Sequence, residues 1–148
     1  MNENNIYGFP DSLATLVTDA ENPYGKRADN VSFAKKLRER FKAASVEIIN
    51  FFERQKNSPA GGVVRFQLLK SATSAAANYR AVCRARSQNE FYAKHCTVVE
   101  ETDKTLFWPE LLRDSTIKTD EEALAIIGKE WQELLMIVAK AKSNTRPK

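Results

Sequence analysis

Four stretches of this chain repeat apolar residues at intervals of three and four, and only short polar breaks separate them. In the first, Phe33, Leu37, Phe41, Ala44, Ile48 and Phe52 share one side of a helix. In the second, Val64, Leu68, Ala72, Ala75, Tyr79 and Val82 do so. In the third the stripe is Phe91, His95, Val98, Thr102 and Leu106, and in the fourth Leu124, Ile127, Trp131, Leu134, Val138 and Ala141. A chain of this pattern buries its stripes by packing helix on helix, and short connections make sequential helices antiparallel neighbours. The expected fold is therefore all-α: an antiparallel up-down four-helix bundle, with helices near 31–56, 60–85, 88–112 and 120–142.

The breaks carry their own signals. Asn30 is the expected cap of the first helix. The segment NSPAGG ends that helix and places Pro59 where the next can start. Ser87 with Glu90 forms a capping box ahead of the third helix, and Thr119 with Glu122 forms one ahead of the fourth. Pro109 inside WPELL predicts a kink or an early end. Residues 1–30 hold Gly8, Pro10, Pro23 and Gly25 and are read as a partly ordered arm. The bundle spans 31–142, and 143–148 form a basic tail.

The 148 residues suffice for a core without disulfides or metal. Cys83 and Cys96 both fall within helices and read as free thiols. Neither a signal-peptide pattern nor an apolar run of membrane-spanning length is visible, which predicts a cytoplasmic protein. No catalytic or cofactor-binding constellation stands out. The lone histidine, His95, has Tyr92 three residues before it, so the Glu-x-x-His pattern of bundle metal sites is missing. His95 adjoins Cys96, but consecutive helical residues point about 100° apart. Gly61-Gly62 lacks the lysine and spacing of a phosphate loop. The expectation is a non-enzyme with no cofactor and no metal.

Charge is more informative. The net formal charge is only +4, yet no acidic residue occurs between Arg54 and Asn89, a window containing Lys70, Arg80, Arg84 and Arg86. Lys70, Arg80 and Arg84 fall close together around the second helix, an arrangement suited to phosphate oxygens of RNA or DNA. Alternatively, Arg80, Arg84 and Arg86 pair with Glu100, Glu101 and Asp103 of the neighbouring helix or of a second subunit, or face another acidic partner. A weakly apolar strip, Phe66, Thr73, Ala77 and Ala81, lies away from the core stripe and is a candidate subunit contact.

The segments QLLKSATSAAANYRAVCRARSQNEF and VVEETDKTLFWPELL resemble bacterial four-helix-bundle proteins related to those encoded in intervening sequences of 23S ribosomal RNA genes. Asn78-Tyr79, Arg84, Ala85, Ser87, Phe91, Glu101, Thr102 and Trp108 carry the resemblance, which spans residues 31–142. It implies a ring-like homo-oligomer, typically a pentamer, without established enzymatic activity. A similar bundle is the accessory protein of diversity-generating retroelements, where a basic pentamer contacts nucleic acid and a reverse transcriptase. By that analogy, the alternative to nucleic-acid binding is an oligomeric scaffold for a protein partner. The chain departs from the family at Ala81, where an acidic residue is usual, and at Pro109, where leucine is usual.

Overall fold

Ser58 has extended backbone and its hydroxyl accepts a hydrogen bond from Gly61 N–H at 3.1 Å, with Pro59 filling the first helical position. Ser87 does the same for the third helix, accepting from Glu90 N–H at 3.1 Å, while the Glu90 carboxylate reaches back to accept from Arg86 N–H at 2.8 Å. The computed structural model describes the backbone of residues 25–146 and the side chains from Ser32 onward. It contains α1 (Gly25–Arg54), α2 (Pro59–Val82), α3 (Gln88–Asp114) and α4 (Glu121–Asn144), and no strand among the described residues. The chain divides into two compact units, residues 1–37 and 38–148. The first contributes the start of α1, with Leu37 buried and Lys35 and Lys36 exposed. Most of the expected arm, residues 1–24, lies outside the described residues, as do tail positions 147 and 148.

The second unit is a four-helix bundle of up-down order. Contacts run in opposite chain directions between α1 and α2, where Phe41 stacks on Tyr79, Ser45 donates to the Ala72 carbonyl, and Glu53 pairs with Arg65. They also do so between α2 and α3, where Thr105 donates to the Ser71 hydroxyl at 3.0 Å and Tyr79 meets His95 edge-on. The α4 helix closes the square: Phe41 meets Trp131, Arg40 binds both Glu130 and Glu133, and Gln88 reaches the Thr145 carbonyl. The core of this unit comprises the expected stripes from Phe41 onward, with Phe51, Ser45, Ser71, Thr105, Pro109, Leu112 and Ile137 added. Phe33, Phe91 and Ala141 are only half-buried.

Several expected boundaries move. The first helix runs back to Gly25, so Asn30 is helical rather than its cap; extending a formed helix costs less than starting one. The cap of α4 is Asp120, whose carboxylate accepts from Ala123 N–H at 3.0 Å, not its neighbour Thr119. The α2 helix stops at Val82 instead of Ala85, because Arg84 N–H and Ala85 N–H turn to carbonyls three residues back. Pro109 ends nothing: α3 continues to Asp114 with Pro109 buried in the core. Its ring forfeits the bond to the Thr105 carbonyl, but apolar packing at that position holds the helix.

Candidate functional site

The outward face of α2 is a ladder of alternating three- and four-residue steps: Phe66, Lys70, Thr73, Ala77, Arg80 and Arg84. All six are exposed, and Ala81 is half-buried beside them. The expected apolar strip and the expected cationic stripe are therefore one surface, which the spacing of those residues already implies. Lys70 is separated from Arg80 by ten residues, about 15 Å along the axis. Arg84 lies in the turn beyond the helix, not on its last full turn.

Among the described residues, Lys70, Arg80 and Arg84 make no ion pair. The expected pairing of the arginines with Glu100, Glu101 and Asp103 does not occur within the chain. Glu101 holds Lys104 at 2.8 Å, and Glu90 holds Lys94 at 3.3 Å and Arg86 at 3.5 Å. The reason is geometric. Once α2 and α3 have turned their core stripes inward, their outward faces point away side by side, not at each other.

Cations gather instead at one end of the bundle, where α2 and α4 finish and α3 begins. Arg38 of α1 is close enough to Cys83 and Tyr79 for its charge to act on both. Arg84 and Arg86 flank the turn, and Gln88 brings the C-terminal turn of α4, with Lys140 and Lys142, to the same end. Arg38, Lys140 and Lys142 escaped sequence reasoning because they come from α1 and α4, far in sequence from the arginines after α2. Cationic residues at two helix C-termini also suit the helix dipoles.

No activated catalytic group accompanies this surface. His95 is buried between the Phe91 and Tyr79 rings, at centroid distances of 4.7 and 6.1 Å. Neither of its ring nitrogens finds a hydrogen-bond partner among the described residues, and burial pushes its pKa down to about 4. Burial pushes the Cys83 thiol up, which disfavours the thiolate a nucleophile needs, and raises Tyr79 as well. Cys96 is half-buried one position from His95. No group of three His, Cys, Asp or Glu residues capable of holding a metal occurs among the described residues. A groove of about 540 Å³ between α3 and α4 has Leu106, Pro109, Leu124 and Gly128 in its lining and contains no histidine or nucleophile. No helix among the described residues is long and apolar enough to cross a membrane.

Comparison with known proteins finds no matching family model and no matching curated protein. Among solved structures, the chain is similar to a crystal structure from Bacteroides thetaiotaomicron, of a protein with unknown function from the S23 ribosomal protein family. The two superpose with a TM-score of 0.66 at 24% identity, over 74% of this chain and 97% of that one. That likeness shows the fold.

Proposed function

We propose that the chain is a non-enzymatic bundle protein of the 23S intervening-sequence kind that assembles with itself, as a ring-like pentamer, and binds RNA or DNA. The observation that carries the binding reading is the cationic end of the bundle: Arg84 and Arg86 beside Arg38, Lys140 and Lys142, with Glu90 the acid that engages Arg86 there. The resemblance to a basic retroelement accessory bundle supports the same reading, as does the S23 ribosomal protein family name of the structural neighbour. Arginine forks at this end contact phosphate oxygens and carry no base readout, so affinity falls steeply with salt and depends little on sequence. Repeated copies in a ring add by avidity. Lys70 and Arg80 lie farther along α2 and are not part of this contact.

The test is filter binding of the Arg84→Glu, Arg86→Glu double variant to a mixed RNA and duplex DNA pool at low salt. At least a tenfold loss is expected, with helicity and oligomer mass unchanged. Binding equal to the parent refutes the reading, and the oligomeric scaffold for a protein partner takes its place.

A further inference from the structure

The outward face of α3 mirrors that of α2 in composition and order. Its ladder is Ala93, Cys96, Glu100, Asp103, Phe107 and Leu111, with no basic residue, against no acidic residue on the α2 ladder. Phe107 and Leu111 are 50% and 41% exposed, and Phe66 and the adjacent Val63 are 63% and 61% exposed. Glu100 and Asp103 make no ion pair among the described residues; Glu100 acts on Lys104 only through space.

The two ladders are also in register. Ser71 and Thr105 hydrogen-bond across the α2–α3 seam and mark a common height. With a rise of about 1.5 Å per residue, Phe66 lies about 8 Å to one side of that level and Leu111 about 9 Å to the same side. In the other direction, Asp103 stands at about 3 Å, Glu100 at about 8 Å and Arg80 at about 14 Å; Lys70 is nearly level with the mark. Long side chains span such offsets. Two copies with parallel axes thus bring apolar against apolar at one end, and Lys70 and Arg80 near Asp103 and Glu100 farther along. Thr73, Ala77 and Cys96 are small enough to let the helices approach between them.

We infer that a second copy of this chain docks head-to-tail, seating the outward face of its α3 on the outward face of α2. The inference rests on the self-association part of the proposal above and is independent of nucleic-acid binding. A symmetric α2-to-α2 contact is disfavoured, because it would bring Lys70, Arg80 and Arg84 against like charges or put Phe66 against Arg84. A head-to-tail contact leaves one α2 face and one α3 face to engage further copies, so it propagates until the rotation closes.

The test is light scattering with gel filtration on nuclease-treated, high-salt-washed protein. Lys70→Glu with Arg80→Glu, and Glu100→Lys with Asp103→Lys, are each expected to weaken association at least tenfold. Combining all four substitutions in one chain is expected to restore it, since the complementarity is then reversed on both faces. All four positions are exposed, so helicity should match the parent. Phe66→Ser is a second, charge-independent variant expected to lower the mass. A monomeric parent after nuclease treatment overturns the inference, as does either double variant keeping the parent mass. A folded fourfold variant that stays dissociated overturns it too. None of these results depends on whether Arg84 and Arg86 bind nucleic acid.

Discussion

Acid should destabilise this bundle through one residue. His95 is 2% exposed, stands between two aromatic rings, and has no hydrogen-bond partner for either nitrogen among the described residues. Burial therefore favours the neutral ring, and its pKa in the folded chain falls from an ordinary 6.5 to about 4. The unfolded chain takes up a proton below about pH 6.5, whereas the folded chain resists until about pH 4. Stability from this residue is thus complete above the unfolded value and is lost as pH drops across the window between the two. At about 1.4 kcal/mol per pKa unit the full loss is about 3.4 kcal/mol, and about 2.4 kcal/mol of it falls between pH 7 and pH 4.5. His95→Leu removes the titration while keeping an apolar volume. Urea unfolding followed by circular dichroism should show parent stability dropping about 2.4 kcal/mol more than the variant's between those two pH values. Because His95 is the only histidine, its proton resonance also reads the folded pKa without assignment of the rest. An equal pH dependence in parent and variant, or a resonance titrating near 6.5, refutes the argument.

Two further outcomes follow from packing. A Cβ at Gly61 would stand 2.8 Å from the Ser58 hydroxyl oxygen, so Gly61→Ala displaces the α2 cap; a loss of about 1 kcal/mol is expected, and Ser58→Ala should then add little in a double-mutant cycle. Ala72 is fully buried, with its carbonyl 3.2 Å from the Ser45 hydroxyl; Ala72→Leu should cost about 1–3 kcal/mol or more in chemical denaturation, and an unchanged midpoint would show that the seam can open.

The helical stripes were legible because burial follows a 3.6-residue period, and Val64 through Val82 on α2 are buried as that period requires. Chain ends were less legible. Thr119 and Asp120 are adjacent residues that both cap well, and only the direction in which the chain enters α4 selects the second. Pro109 carries a breaking signal that the core outweighs, since burial is a tertiary gain no local rule contains. Thr105 and Ser71 read as polar, yet they are buried, because Ser71 donates to the Leu68 carbonyl of its own helix and Thr105 donates to Ser71 across the seam. The cationic end is a different kind of omission. Arg38 and Lys140 are about a hundred positions apart, and only the antiparallel return of α4 brings them to one end. The four-residue spacing of Phe66 and Lys70 puts the apolar and charged residues on one face, which the sequence alone displays.

The small-residue middle of α2 bears on how such a sequence can drift. Ala72 and Ala75 are fully buried, and the Ser45 hydroxyl of α1 comes to 3.2 Å from the Ala72 carbonyl. Growth at either position forces helices apart, and the one smaller residue, glycine, weakens the helix by about 1 kcal/mol. Leu68 or Ile48 can exchange for another apolar residue of similar volume with local repacking, but the alanines have no substitute on either side of their size. Over long divergence the bulky core is free to be rewritten, while the least conspicuous residues in the chain stay fixed and keep the spacing of the helices.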